Sequence, residues 1–398
     1  MITSEQQGIL TLIHSAISGQ KLTLPAGFDL EQAQMLIKRH QISNLVYYGG
    51  ANCGMDTKQP QMRKLFEYTY QSMLVDERQR NELNKLFAAF DANQIHYWPL
   101  KGVLMKYLYP QTDMRIMGDA DIMIKMDQYD KIKEIMGRLG YVYEGESNHQ
   151  VVWENAGLHL ELHRRLVPEY NRDFAAYYGD CWRLAKPTAE NPYRFEMTDE
   201  DQMIFLFTHF AKHYRNGGIG IRHMTDLYVY KKVKPELDEA YIARELEKLQ
   251  LRDFYDNVFD TLAVWFENGI ANEKTELITE HVFASGAYGT RDGRSMSEAI
   301  RDKTDSRKTA KQIRRGKWLW MIFLPYSAMC SIYPVLKKFP ILLPVMWPVR
   351  WMTILFKKPN RITYYRRKIE LLQDDAMNAF ESRMNAVGLT FEFEENEE

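Results

Sequence analysis

The sequence predicts an α+β protein in which a small sheet-bearing core lies between mostly helical N- and C-terminal regions. Two observations carry this. From residue 4 to about 95, and again from 198 onward, apolar residues recur at helical spacing. Between 95 and 166 the apolar period shortens to two, the repeat of a strand with one buried face. The short period is clearest in DADIMIK (119–125), where Asp119, Asp121 and Met123 alternate with Ala120, Ile122 and Ile124. It returns in LHLELHRRL (158–166), where Leu158, Leu160 and Leu162 alternate with His159, Glu161 and His163.

Taken in order, a helical region (1–94) comes first. Leu30, Met35, Leu36 and Ile37 mark one helix, the Pro- and Gly-free run from Arg63 to Phe90 marks a long one, and GGANCGMDTKQP (49–60) connects them. The core (95–197) opens with IHYWPL, a short strand ending at Lys101-Gly102, followed by a helix stopped at Pro110. After DADIMIK, Asp127 is placed to cap a helix with Tyr129, Ile132, Ile135, Met136 and Leu139 on one stripe, closed by Gly140. VVWE (151–154) and the Leu-rich strand complete it. A helical domain (198–284) follows, opened by Thr198 and Asp201, then a polar linker (285–312) expected to be mobile. The last region (313–398) is aromatic-rich and ends in an acidic tail, FEFEENEE, expected to be solvated.

Composition narrows the function classes. With 52 basic against 53 acidic residues, no overall field favours long nucleic acid. Apolar content of 45% with 13% aromatic excludes a disordered chain. Cys53, Cys181 and Cys330 are odd in number and never in CxxC spacing, which speaks against a disulfide framework or a cysteine zinc site. The N-terminus lacks the basic start of a secretory signal, so a cytoplasmic location is expected.

The chemistry is concentrated on two strands. Aspartates at i and i+2 put both carboxylates on one face, near enough to share a hard divalent cation such as Mg²⁺. Nucleotidyl transfer wants a third carboxylate close by, and Glu161, on the polar face of a nearby strand and flanked by leucines, is the natural candidate. A lone D-x-D also occurs as a solubilising surface pair. Here it runs straight into IMI, which places it on a central strand, and paired carboxylates there repel unless a cation joins them.

The ordered set LKG (100–102), R-x-x-x-D-x-D (115–121) and L-E-L-H (160–163) resembles the nucleotidyltransferase fold of the DNA polymerase beta superfamily. More narrowly it resembles the bacterial uncharacterised nucleotidyltransferase family, and LEQAQMLIKRHQISNLVYY (30–48) and THFAKHYRNGGIGIRHMTDL (208–227) extend the likeness. The resemblance implies a small mixed-sheet core, with Asp119, Asp121 and Glu161 as catalytic residues and ligands of Mg²⁺ or Mn²⁺. It puts Lys101 and Gly102 where relatives carry Gly-Ser or Gly-Gly to cradle the triphosphate, a departure in which a Lys ammonium can hold a phosphate as a point charge. Arg115 can do the same, or be held in an ion pair with Asp113 or Asp119. His209 and His213, at i and i+4 on one helical face, either contact nucleotide or brace the helical domain. Arg222 and Asp226 have ion-pair spacing. The implied reaction moves NMP, with ATP the default donor, from an NTP to an acceptor hydroxyl. The rival reading is an inactive nucleotide-binding or scaffold protein.

Residues 318–336 are uncharged for 19 positions but are interrupted by Pro325 and Pro334, so they make a poor membrane span. Trp318, Trp320, Trp347 and Trp351 fall between the basic groups Arg314, Arg315, Lys317 and Lys357, Lys358, Arg361, Arg366, Arg367. That composition fits a segment lying at the inner face of a membrane (peripheral contact through 313–358), a hairpin packed on protein, or a dimer contact. The sequence leaves all three open.

Overall fold

The computed structural model describes residues 2–306, 309–357, 363, 366, 369–370 and 372–391. The expected acidic tail beyond Phe391, and the basic residues Lys358, Arg361 and Arg367, lie outside them. Two compact units are present, one of Met1–Tyr214 with Ile219–Tyr288, the other of Arg215–Gly218 with the chain from Gly289 onward.

In the first unit, helices α1 (Ser4–Ser18), α2 (Leu30–His40), α3 (Ser43–Asn52) and α4 (Pro60–Ala92) precede strand β1 (Tyr97–Pro99) and the short helix α5 (Gly102–Met105). Then come β2 (Ala120–Ile124), α6 (Tyr129–Arg138), β3 (Val142–Glu146), β4 (Gln150–Glu154), β5 (His159–His163) and α7 (Arg172–Tyr178). Helices α8 (Asp199–Arg215), α9 (Ile221–Val233), α10 (Glu239–Lys248), α11 (Arg252–Phe266) and α12 (Glu273–Ser285) follow.

The strands form one mixed sheet in the order β1-β2-β5-β4-β3, parallel only between β2 and β5. The connection from β2 to β5 passes through α6 and the β3–β4 hairpin, long enough to return the chain in the same direction. Alternation then sorts the faces. Ala120, Ile122 and Ile124 with Leu158, Leu160 and Leu162 enter a core completed by Leu83, Leu86 and Phe90 of α4 and Ile132, Ile135 and Met136 of α6. The opposite face of β2 and β5 is left to Asp121, Glu161 and His163. β2 is interior, flanked by β1 and β5, as its apolar run implies.

Three expectations change. Asp127 does not cap α6: residues Met126–Gln128 form a 3-10 turn and α6 starts at Tyr129 without a side-chain cap. Gln128 instead accepts from the His96 backbone N–H at 2.8 Å, tying α6 to β1. β3 is an additional strand without apolar alternation. It is a largely exposed edge whose register shifts between Tyr143 and Gly145, so burial wrote no periodic signal into it. The region 285–312, expected as a mobile linker, holds the helix Arg291–Ser306, because Met296, Ala299 and Ile300 supply a buried stripe within its polar composition.

A buried ion pair braces α4. Lys106 Nζ lies 2.5 Å from Asp76, which also accepts from Thr112 at 2.6 Å and Arg80 at 3.0 Å.

His40 joins α2 to two distant helices. Its Nε2 donates to the Phe283 carbonyl at 3.2 Å and its Nδ1 accepts from the Ile221 N–H at 3.4 Å, an arrangement open only to the neutral ring. Burial pushes its pKa down to about 4. The unfolded chain therefore takes up a proton near pH 6.5 that the folded chain refuses, so stability is lost as pH falls from 6.5 towards 4. Between pH 7 and 4.5 this group is expected to contribute a loss of about 2 to 3 kcal/mol. Urea titrations at both values, on wild type and His40→Gln, check it. An identical pH slope in the variant removes the idea.

The second unit contains helices α13 (Arg291–Ser306), α14 (Ala310–Ile322), α15 (Tyr326–Ile332), α16 (Leu343–Lys357) and α17 (Asp374–Ala386). Thr309 caps α14 through a reciprocal pair with Gln312. A small core of Leu324, Met329, Cys330 and Leu336 holds the α14–α16 section together. Among the described residues no helix is long and apolar enough to cross a membrane.

Candidate active site

The parallel pairing of β2 with β5 sets Asp121 directly beside Glu161, with both side chains on the non-core face. Two residues on, His163 turns its Nε2 to Asp121 Oδ1 at 2.7 Å and to Glu161 Oε2 at 3.5 Å. Ligand atoms of Asp121, Glu161 and His163 all lie within 4.8 Å of one another. Asp119, one residue ahead of β2, is solvent-exposed.

Lys101 closes the arrangement from β1. Its Nζ meets the same Asp121 oxygen at 2.6 Å, while the Leu100 N–H donates to the Asp121 carbonyl at 3.0 Å. Lys101 holds φ 43° and ψ −116°, a conformation that a bulky L-residue adopts only under constraint, at a cost of order 1–3 kcal/mol. Such strain is characteristic of a residue whose position matters more than its comfort.

The electrostatics separate the two aspartates. Burial disfavours the Asp121 charge, but Lys101 and then His163 overcome it and hold this carboxyl well below the usual range. Desolvation, with the charges of Asp121 and Glu161, pushes Asp119 above that range. Glu161 is opposed by burial yet drawn down by its hydrogen bond from His163. Burial likewise works against the Lys101 ammonium, and Asp121 more than compensates. Three carboxylates thus crowd one face with two cationic or cation-forming groups already on Asp121.

The loop leading into Asp119 is pinned through its carbonyls. Arg115 Nη1 and Arg222 Nη1 both donate to Ile116 O, at 2.7 and 3.2 Å, and Gln79 Nε2 donates to Met117 O at 2.9 Å. The other donors of Arg115 grip Asp226, Nε at 3.0 Å and Nη2 at 2.9 Å, and Tyr109 adds its hydroxyl to Asp226 at 2.8 Å. Arg115 is therefore buried and engaged with Asp226. It is not paired with Asp113 or Asp119, and the pairing expected of Arg222 with Asp226 goes to Arg115, whose planar fork arrives from the loop side. At Gly102 a Cβ would stand 3.1 Å from Met117 Cγ and 3.4 Å from Arg115 Nη1, so a side chain there would press on this same loop.

Helix α8 carries the expected pair His209 and His213 and, with them, Lys212, which has no counterpart among the expected site residues. His209 and His213 touch, Nε2 to Nε2 at 3.1 Å, and His223 of α9 lies with its ring centre 6.3 and 6.5 Å from theirs. Burial, then the charge of Lys101, lowers the His209 pKa far below normal. Between the two histidines in sequence, Lys212 is brought down to about 7, by burial and then by Lys101, and senses the charges of Asp121 and Glu161. On β4's side, His149 lies 6.0 Å from His163 ring to ring, and burial lowers its pKa to about 4. His163 had a legible signal, since it shares the polar face of its strand with Glu161. Lys212 had none, because its place depends on how α8 docks.

The donor set fits a hard divalent cation. Asp121 and Glu161 present anionic oxygens on adjoining strands, and Asp119 adds a third carboxylate nearby. His163 offers a nitrogen donor to the same point, which Mn²⁺ accepts more readily than Mg²⁺.

The solution structure of the antibiotic-resistance factor ANT(2'')-Ia is similar to this chain at 15% identity, over 48% of this chain and 97% of that one, with a TM-score of 0.32. No curated protein matches the sequence. The family described as uncharacterised nucleotidyltransferase matches residues 26–267, a span that takes in the sheet, Lys101, Asp119, Asp121, Glu161, His163 and Lys212. The chain belongs to this nucleotidyltransferase family.

Proposed function

We propose that the protein transfers a nucleoside monophosphate, AMP in the first instance, from a nucleoside triphosphate to an acceptor hydroxyl, releasing pyrophosphate. The observation that supports this most directly is the adjacency of Asp121 and Glu161 on parallel strands, with Lys101 2.6 Å from Asp121. In this reading Asp119, Asp121 and Glu161 hold Mg²⁺ or Mn²⁺. The bound ion screens the triphosphate charge and lowers the pKa of the acceptor hydroxyl.

The chain's own residues then have separable tasks. Glu161 accepts the acceptor proton as the oxygen–phosphorus bond forms at the α-phosphorus. The bond to the β-phosphate oxygen breaks and its electron pair leaves with pyrophosphate. Lys101 and Lys212 set positive charge beside the carboxylates, where β- and γ-phosphates gain most from it. His163 orients Asp121 and Glu161 together. Gly102 contributes through close packing against the loop before Asp119. His209 and His213 line the same side as Lys212. The setting consistent with this chemistry is the cytoplasm, where nucleotides are abundant and the three free cysteines stay reduced.

The test is metal-dependent thermal stabilisation by each of the four NTPs. Wild type is expected to gain several degrees with at least one of them. Lys212→Met should weaken the gain and Asp119→Ala with Asp121→Ala should remove it. Absence of any shift in wild type would overturn the reading. A shift without pyrophosphate release would instead assign the rival role, a nucleotide-binding scaffold in which Lys101 stays on Asp121.

A further inference from the structure

One stretch of the second unit is built unlike the rest of the chain. Residues 306–369 carry fifteen of the 52 Lys and Arg, and all 53 acidic residues fall outside them. Such a block in an otherwise balanced protein is a strong local field.

Its apolar side chains divide cleanly into those used by the fold and those left over. On α16, the Trp347 and Trp351 indoles donate to Leu324 O at 2.9 Å and Ile322 O at 3.2 Å, and Arg350 donates to Met321 O at 2.9 Å. These three contacts, with buried Ile354, satisfy the carbonyls at the end of α14 and define the inner side of the helix. Val345, Val349, Met352 and Phe356 follow at i, i+4, i+7 and i+11, the spacing of a second stripe. All four are exposed, Phe356 at 80%. Ahead of α16, Phe339 and Ile341 are exposed as well, Ile341 at 86%. Exposed Lys337 and Lys338 stand just before them, and exposed Lys357 follows Phe356.

We infer that this face docks on the surface of an anionic lipid bilayer. An apolar stripe of this extent is unfavourable against water and marks an interaction surface. Its occupant must accept apolar side chains and many cations at once while presenting no positive charge of its own. A bilayer rich in acidic headgroups meets both demands, with the stripe entering the headgroup boundary and the lysines at headgroup level. Prolines at 334, 340, 344 and 348 and the shortness of the helices keep the segment at the surface rather than across it.

The experiment is vesicle co-sedimentation of the full chain. Vesicles of phosphatidylcholine alone are compared with vesicles containing one-third phosphatidylglycerol. Binding to the acidic vesicles is expected, at least tenfold weaker on neutral ones and weakened by high salt. Ile341→Glu with Phe356→Glu should reduce it at least tenfold while circular dichroism and melting stay unchanged. Lys337→Glu with Lys338→Glu provides a second variant at exposed sites. No binding of wild type to acidic vesicles, or unaltered binding by both variants, overturns the inference. So does light scattering that shows a dimer for wild type and a monomer for the Ile341/Phe356 variant without vesicle binding, since the face would then belong to a second copy.

Discussion

Asp119→Asn is expected to lower nucleotidyl transfer by about a thousandfold or more, equal to about 4 kcal/mol of transition-state stabilisation, while leaving the protein at least as stable. The reason is the sign of the local electrostatics. Desolvation and the neighbouring Asp121 and Glu161 charges push the Asp119 carboxyl upward, and its exposure lets solvent screen part of that repulsion. A neutral amide relieves that repulsion and removes a proposed metal ligand at once. Asp121→Asn should behave differently. It loses the charge that Lys101 and His163 contact at 2.6 and 2.7 Å, so stability falls together with activity. Turnover and melting temperature, measured for both variants, distinguish the two residues. Near-normal turnover in Asp119→Asn would remove that residue from the catalytic set.

Arg115→Met should cost about 3–5 kcal/mol of stability, because it takes the guanidinium from the buried Asp226 carboxylate and leaves it the Tyr109 hydroxyl. It also frees Ile116 from one of its two guanidinium contacts, which loosens the approach to Asp119. Replacing both partners, Arg115→Met with Asp226→Leu, should recover most of the loss, since an apolar pair leaves no unpaired charge. Denaturant midpoints read the cost directly. If the single variant keeps its stability and only the KM for nucleotide rises, Arg115 belongs to the phosphate site that the family resemblance suggested.

The strands that carry the carboxylates are legible in the sequence. Alternation in 119–125 and 158–166 is produced by one buried and one polar face, and burial selects residue type strongly enough to leave that trace. β3 left none, because an exposed edge imposes no such selection. The helix Arg291–Ser306 has the sequence of a linker because its buried stripe is narrow and its composition polar. Asp127 is a plausible cap by type, but it falls inside the 3-10 turn and the α-helix starts two residues later.

By itself the sequence determined the α+β class, the two polar strand faces, the family, and the acid-free aromatic block near the C-terminus. These depend on local periodicity and composition, which short windows record. Only the tertiary structure decided that β2 runs parallel beside β5, that Lys101 and His163 share one Asp121 oxygen, and that Arg115 goes to Asp226 from 111 residues away. It also decided that Lys212 lies where the charges of Asp121 and Glu161 are felt. Those pairings depend on strand order and helix docking, which are set by how whole faces pack, so single residues carry no mark of them.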